Sequence, residues 1–239
     1  MMSRILSLIR LIPKVLCKIW SQGITRTLDI VRRRLRDEYR DWQLEIRTSG
    51  RIDRLKLGNN SSGRDYLATD YQCLDTLFEY LNSDLNNDVF LDYGCGKGRV
   101  IVVAAMYPFR RVTGVEYSAA LCEIAEQNIQ RASKRFKCQD VEIINADAGQ
   151  FKLPNDVSLI FLFNPFGKDV LDRVQQRIVE SLKQAPRRLR LIYAFPKNKT
   201  DYFSASNCLQ MTAELPTASW EKFRLRVYEN LPSEVPAEM

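Results

Sequence analysis

The sequence predicts an α/β fold in which a doubly wound, mostly parallel sheet follows an N-terminal helical extension. From about residue 71 onward, short apolar segments alternate with longer amphipathic ones, as expected for strands joined by helical crossovers. Hydrophobic residues make up 45% and charged residues 27% of the 239 residues, so the chain can bury a core. The last two apolar segments have no helix between them, which predicts an antiparallel pair at one edge.

The first 64 residues form a basic extension. They contain 15 basic and 6 acidic residues, a net charge of +9, whereas the rest of the chain contains 21 basic and 23 acidic residues, a net charge of −2. The polar segment LGNNSSGR at 57–64 predicts a boundary before a domain at 65–230. Residues 231–239 are expected to form a loose tail.

Residues 1–20 have the pattern of an amphipathic helix interrupted at Pro13. Its polar face carries Arg4, Arg10, Lys14 and Lys18. These charges make the apolar run too short for a transmembrane span or a signal-peptide core. Three roles stay open: residues 1–22 lie on an anionic membrane surface, pack on the domain or a second subunit, or act as a targeting peptide. We expect a cytoplasmic protein, peripheral on a membrane in the first case.

Residues 24–47 predict a second helix, in which VRRRLR at 31–36 is the densest basic run. A run of this kind is usually a solvated face. Contact with phosphate groups of lipid or nucleic acid is the alternative.

The domain is predicted element by element from the apolar pattern. Helices are expected over 71–81, 99–105, 119–136 and 170–184. Strands are expected over 89–93, 111–116, 141–145, 158–163, 189–194, 209–215 and 223–230.

Two features of the composition exclude whole classes of chemistry. The sequence contains no histidine, which excludes catalytic triads with histidine, histidine–metal sites and an imidazole base. Its six cysteines are scattered and form no C-x-x-C pair, so we expect buried free thiols rather than disulfides. No metal site is predicted.

The most informative segment is FLDYGCGKGR at 90–99, where three glycines follow an apolar strand and precede a helix. Glycines let a ligand approach the backbone, at the sheet edge where parallel α/β folds bind nucleotides. The spacing is G-x-G-x-G, whereas dinucleotide sites have G-x-G-x-x-G. Asp92 comes two residues before the first glycine, and its carboxylate would suit an ammonium group and repel a pyrophosphate.

Acidic residues also follow the next two predicted strands. Glu116, in GVEYS, ends the second strand, where a carboxylate can accept hydrogen bonds from both hydroxyls of a ribose. Asp147, in NADAGQF, lies beyond the third strand, within reach of the exocyclic amine of an adenine. Partners for an ammonium group, a ribose and an adenine at one edge together describe S-adenosylmethionine.

From about residue 66 to residue 230 the chain resembles the class I, Rossmann-like S-adenosylmethionine-dependent methyltransferases. The matching motifs are LDYGCGKG at 91–98, GVEYS at 114–118, NADAGQF at 145–151 and FLFNPFG at 161–167. The resemblance implies a seven-stranded sheet whose last strand is antiparallel, and S-adenosylmethionine as the cofactor.

The resemblance also implies roles for individual residues. Asp92 and the glycine loop would hold the methionine part, Glu116 the ribose, and Asp147 with Ala148 the adenine. The full set of implied cofactor contacts is Asp92, Gly94, Cys95, Gly96, Gly98, Glu116, Tyr117, Asp147, Ala148 and Asn164. Tyr66 and Thr69 precede the first helix of the domain, and one prediction is that they cover the cofactor. The alternative is that this segment only begins the helix, with Thr69 or Asp70 as its N-cap.

NPFG at 164–167 follows the fourth predicted strand and resembles the (D/N)-P-P-(Y/F) motif of amino-methyltransferases. By that resemblance Asn164, Pro165 and Phe166 would be catalytic, with polar oxygens that accept hydrogens from the target nitrogen. The second proline is missing here, so a turn that only shapes the pocket is the alternative.

We therefore expect a methyltransferase that modifies a nitrogen of a protein or a small molecule. The alternatives are an RNA methyltransferase that grips phosphates with the basic extension, and a cofactor-binding protein without catalysis. The acceptor class and the oligomeric state do not follow from the sequence.

Overall fold

The computed structural model describes residues 24–52, 66–81, 85–163, 166–196, 201–206, 208–216 and 223–230. The predicted helix at 1–20, the predicted linker at 57–64 and the predicted tail at 231–239 lie outside these ranges. The domain boundary near residue 64 therefore stays a prediction.

Five α-helices and nine strands are described. The helices are α1 (Ile24–Gln43), α2 (Tyr71–Tyr80), α3 (Arg99–Ala105), α4 (Ala119–Ala132) and α5 (Lys168–Gln184). The strands are β1 (Arg51–Ile52), β2 (Tyr66–Leu67), β3 (Val89–Tyr93), β4 (Arg111–Glu116), β5 (Val141–Asn145), β6 (Leu159–Phe163), β7 (Arg190–Pro196), β8 (Leu209–Leu215) and β9 (Phe223–Asn230). Short 3₁₀ turns cover Ser133–Arg135 and Tyr202–Ala205.

The main sheet has seven strands in the order β5-β4-β3-β6-β7-β9-β8. The pairs from β5 to β7 are all parallel, whereas β9 is antiparallel to both of its neighbours. This confirms the predicted seven-stranded, mostly parallel sheet with an antiparallel last strand. Strands β1 and β2 form a separate two-stranded antiparallel sheet.

The sheet is covered on both faces, so β3 and β6 are apolar along nearly their whole length. One core cluster joins α2 and α3 to the sheet, and includes Leu74, Phe78 and Phe90. A second cluster, with Val174 and Ile178 of α5, covers the other face. All five cysteines in the described part of the chain are free thiols, and four of them are buried.

Helix α1 packs against this domain by its polar side. Arg33 pairs with Asp70 at 3.5 Å, Arg36 donates a hydrogen bond to Gln72, and Arg40 pairs with Asp75. The predicted helix is therefore present, but part of its arginine run contacts the domain instead of forming a purely solvated face. Within the described residues, no helix is long and apolar enough to cross a membrane.

Candidate functional site

The three glycines of the 94–98 loop hold the backbone in a left-handed conformation, which side chains disfavour. Their φ angles are +78° at Gly94, +56° at Gly96 and +78° at Gly98. The loop is tied to the neighbouring strand because the N–H groups of Gly94 and Cys95 both donate to the carbonyl of Val115. Close packing adds a second reason for glycine at Gly98, where a Cβ would lie 3.0 Å from the Cβ of Ala125.

Asp92 lies at the end of β3, just before this loop, and is 2% exposed. Burial, followed by the nearby charge of Glu116, raises the pKa of the Asp92 carboxyl well above its ordinary value. Both effects disfavour the ionised form. A cationic group bound beside Asp92 would offset both of them.

Glu116 is held in place by backbone donors. Its carboxylate accepts hydrogen bonds from the N–H of Gly96 at 3.0 Å and from the N–H of Ser118 at 2.9 Å. Burial raises the pKa of Glu116, and these backbone donors offset part of that rise. The side chain thus bridges the end of β4 and the glycine loop, at the same edge as Asp92. Tyr117, the next residue, is exposed.

Asp147 and Ala148 lie in a turn that follows β5. The carboxylate of Asp147 accepts a hydrogen bond from the N–H of Gly149 at 2.8 Å, and its carbonyl accepts one from Phe151. Because β5 is parallel to β4, this turn lies at the same edge of the sheet as Glu116. Ala148 is buried in the cluster that also contains Tyr93.

Tyr66 lies directly over the glycine loop. A Cβ built on Gly96 would overlap the Tyr66 ring, so glycine is required there by the ring as well as by the positive φ angle. The Tyr66 hydroxyl donates to the carbonyl of Thr48 at 2.7 Å, and the Lys97 ammonium lies 4.8 Å from the ring centroid. Tyr66 thus covers this part of the loop, and its predicted contact with the cofactor stays a prediction.

Thr69 and Asp70 separate into two roles. Asp70 is the N-cap of α2, since its side chain accepts a hydrogen bond from the N–H of Gln72. Thr69 is buried, and its carbonyl accepts a hydrogen bond from Arg99 at 2.8 Å.

Arg99 is the largest feature of the site that the sequence does not single out. It begins α3 directly after the glycine loop and is 2% exposed. Its guanidinium donates to Asp37 and Asp41 of α1, and to the hydroxyls of Thr48 and Ser49, at 2.6 to 3.2 Å. The available signal was one charged residue at the start of RVIVVAA, an otherwise apolar helix.

Asp41 completes this second polar cluster. Its carboxylate accepts hydrogen bonds from the N–H and hydroxyl of Thr48, from Ser49, and from the hydroxyl of Tyr71. Residues 44–52, which we call the strap, are thereby held between α1 and the glycine loop. Lys97 of the loop adds a hydrogen bond to the carbonyl of Ser49 at 3.1 Å.

The predicted catalytic segment is only partly described. Asn164 and Pro165 lie outside the described residues, whereas Phe166 is half-buried against the core cluster on the α5 side of the sheet. Strand β6, which leads into this segment, is parallel to β3, with Leu162 opposite Tyr93. Strand β6 therefore ends one strand away from Asp92, at the carboxyl edge of the sheet.

Together these residues fit the three parts of S-adenosylmethionine. The carboxyl edge of the sheet offers Asp92, a buried carboxyl with a raised pKa, and Glu116, a carboxylate held by backbone N–H groups on the next strand. It also offers the acidic turn at Asp147, which follows the strand after that. When bound, this cofactor supplies a methyl group on a positively charged sulfur. Asp92, Glu116 and the turn at Asp147 are the groups that would hold it.

Comparisons with known proteins agree with this assignment. Residues 90–185 match the family model described as a methyltransferase domain. That segment contains the glycine loop, Glu116, Asp147 and the NPFG segment. No curated protein matches the chain.

Solved structures share the fold at low identity. A candidate methylase from Haemophilus influenzae is 20% identical with a TM-score of 0.55, and the match covers 76% of this chain and 99% of that one. An RNA methyltransferase from Salinibacter ruber, solved with S-adenosyl-L-homocysteine, is 19% identical with a TM-score of 0.51, covering 72% and 98%. A candidate methyltransferase from Escherichia coli is 16% identical with a TM-score of 0.52, covering 71% and 93%.

Proposed function

We propose that this chain, whose residues 90–185 match a methyltransferase domain, is a class I S-adenosylmethionine-dependent methyltransferase that methylates a nitrogen of a protein or a small molecule. The observation that carries the proposal is the position of NPFG. This segment follows β6 directly, and β6 is the parallel neighbour of the strand that ends in Asp92.

In this proposal the protein acts mainly by alignment. Transfer from a sulfonium is an in-line displacement, so the acceptor nitrogen must be held in line with the methyl group and away from water. The oxygen of Asn164 and the carbonyl of Pro165 would accept hydrogens from that nitrogen, while Phe166 shapes the wall beside them. An ammonium acceptor must lose a proton before it attacks. Because the sequence has no histidine, a carboxylate, a tyrosine or water takes that proton.

An RNA acceptor is the second candidate, favoured by the fold shared with the Salinibacter RNA methyltransferase. In the RNA hypothesis, the basic residues of the N-terminal extension bind the phosphate groups of the RNA. Arg33, Arg36 and Arg40, however, contact Asp70, Gln72 and Asp75 of the domain, which leaves fewer arginines for phosphate. We therefore rank RNA below a protein or small molecule.

The acceptor class can be tested with methyl-labelled S-adenosylmethionine and the purified full-length protein. The labelled products of a lysate are separated into protein, RNA, lipid and small molecules. We expect label in protein or small molecules that withstands mild alkali, because N-methyl groups survive conditions that cleave methyl esters. Label confined to RNA or lipid would refute the proposal.

The role of Asn164 can be tested with two substitutions at one position. Asn164→Ala should lower kcat about 10²- to 10³-fold, because it removes a positioned hydrogen-bond acceptor. Asn164→Asp should retain much of the activity, because the resembled motif accepts either residue. Affinity for S-adenosylmethionine, measured by calorimetry, is the control for folding. Unchanged kcat in the alanine variant would contradict a catalytic role for this side chain.

A further inference from the structure

Helix α1 carries an apolar face that points away from the domain it is bound to. Its polar side makes the contacts with the domain, through Arg33, Arg36, Asp37, Arg40 and Asp41. These residues recur every three or four positions and so share one side of the helix. The usual arrangement, with the apolar side buried and the polar side in water, is reversed here.

The outward side consists of large hydrophobic residues. Five of them form what we call the outer stripe: Ile24, Leu28, Leu35, Tyr39 and Trp42. At about 100° per residue they lie within about 60° of one another, opposite the docked side. Their exposed fractions range from 47% to 62%, and the rings of Tyr39 and Trp42 lie 5.7 Å apart. Five of the nine large exposed hydrophobics among the described residues thus belong to one helix.

The size of the outer stripe argues against a second copy of the chain as its partner. The stripe runs about 27 Å along the helix and is one side chain wide. A stable protein–protein interface buries about 800 Å² on each partner, more than a single row of five side chains provides. Two copies would also bring Arg32 and Arg34, which are 73% and 53% exposed, close to their counterparts.

Charge argues against coverage by the preceding residues of the same chain. Residues 1–23 contain four basic and no acidic residues, and residues 1–36 contain nine basic residues and only Asp29 as an acid. Asp29 and Glu38 already pair with Arg32 and Arg34 beside the stripe. Asp37 and Asp41 pair with Arg99, so every acid of α1 already has a basic partner and none is left to pair with the basic side chains of residues 1–23.

A surface of anionic lipid matches both properties. Aliphatic side chains with tyrosine and tryptophan are typical of helices that lie in a membrane interface. The four basic residues of 1–23, which precede α1 in the sequence with no acidic residue among them, are attracted to anionic headgroups. We propose that the outer stripe of α1 lies on a membrane that contains anionic lipids, with the domain held behind the helix by the docked side. This inference is independent of the acceptor proposed above.

Vesicle flotation of the full-length protein tests the proposal. Wild type should float with vesicles of phosphatidylcholine and phosphatidylglycerol, and much less with phosphatidylcholine alone. The double variant Leu35→Glu/Trp42→Glu should reduce the bound fraction at least about tenfold, because glutamates remove apolar contact and repel anionic headgroups. Met211→Glu is the matched control, since Met211 is as exposed as Leu35 but lies on β8. Equal flotation of the double variant and the control would overturn the proposal, as would no binding by wild type.

Tryptophan fluorescence is a second measurement that leaves the outer stripe unchanged. It tests whether a second copy of the chain or residues 1–23 cover the stripe instead of lipid. Trp20→Phe/Trp220→Phe leaves Trp42 as the remaining tryptophan of the chain. Its fluorescence should be that of an exposed indole in buffer and shift to the blue with anionic vesicles. A blue-shifted emission before vesicles are added would mean that protein covers the stripe, and would overturn the proposal. Light scattering would then distinguish a second copy from residues 1–23.

Discussion

Two buried polar clusters flank the glycine loop, and they differ in how their charges are balanced. On the strap side, Arg99 is surrounded by two carboxylates, two hydroxyls and a carbonyl, all within hydrogen-bond distance. On the edge side, Asp92 is buried near a second carboxylate, Glu116, and its pKa is raised. The strap cluster is complete within the protein, whereas the edge cluster gains from a positively charged ligand.

This difference separates stability from binding. A buried charge with all its partners holds the surrounding elements together, and removing one partner leaves the others unpaired at high cost. A buried carboxyl without a cation weakens the unliganded protein and strengthens binding of a cation. The clusters lie on either side of one five-residue loop, so substitutions in each should affect different measurements.

The largest expected effect is on stability, from Arg99→Met. The substitution keeps much of the side-chain volume but leaves Asp41, which is 5% exposed, without its guanidinium partner. We expect a loss of about 3–5 kcal/mol in the free energy of unfolding, measured by urea denaturation.

Arg40→Met is the matched control for that loss. Arg40 also joins α1 to the domain, but its partner Asp75 is 41% exposed. An exposed pair contributes less than about 1 kcal/mol. If both variants lost the same stability, the burial of Arg99 would not explain its role, and the contrast between the clusters would lose its physical basis.

The next largest effect on stability is expected at Gly96, which donates a hydrogen bond to Glu116 and contacts the Tyr66 ring beside the strap. Gly96→Ala would place a methyl group into the Tyr66 ring and strain a φ of +56°, so the loop or the ring must move. We expect about 2–3 kcal/mol of lost stability from the clash and the strain together. Gly50→Ala, at a φ of +100° with open space around it, should cost about 1–2 kcal/mol from backbone strain alone. Thermal unfolding compares the two, and equal losses would show that Tyr66 does not press on the loop.

The smallest effect is a pH dependence of cofactor affinity. The raised pKa of Asp92 means that the free protein holds this proton more tightly than the unfolded chain does. The stability it contributes is therefore present at low pH and declines as pH rises through the raised pKa. A bound cation reverses the preference, so binding releases the proton, and affinity should rise with pH by at most about tenfold per unit.

Calorimetry in two buffers of different ionisation enthalpy measures this released proton directly. Asp92→Asn should bind S-adenosylmethionine more weakly and with less proton release. The remaining release would come from Glu116, whose pKa is also raised. Unchanged proton release in the asparagine variant would show that Asp92 is not the group that titrates.

The sheet and the edge cluster could be predicted from the sequence because their signals are local. The central strands of the main sheet, such as β3 and β6, are short apolar runs, and the glycine loop and Glu116 lie within 23 residues of one another, in a pattern that a parallel sheet brings together. Two helices were predicted to run too far: the helix predicted over 24–47 ends at Gln43, and the helix predicted over 119–136 ends at Ala132 and continues as a 3₁₀ turn. Polar residues at 133–135 suit either form.

The strap cluster could not be predicted, because its contacts are distant in sequence. Arg99 meets Asp41 from 58 residues away and Asp37 from 62. The amphipathic pattern of α1 defines two faces but does not say which of them packs on the domain. In the structure, the polar face packs on the domain, where Arg33 and Arg40 pair with Asp70 and Asp75.

The position of β9 sets an order for assembly during synthesis. Strand β8 reaches the rest of the sheet only through β9, which lies between it and β7. The five strands from β3 to β7 can pair as they leave the ribosome, but β8 must wait with its pairing groups open until β9 has been made. A stalled or shortened chain that ends before residue 223 would therefore expose the free edges of both β7 and β8, which are sites for pairing between molecules.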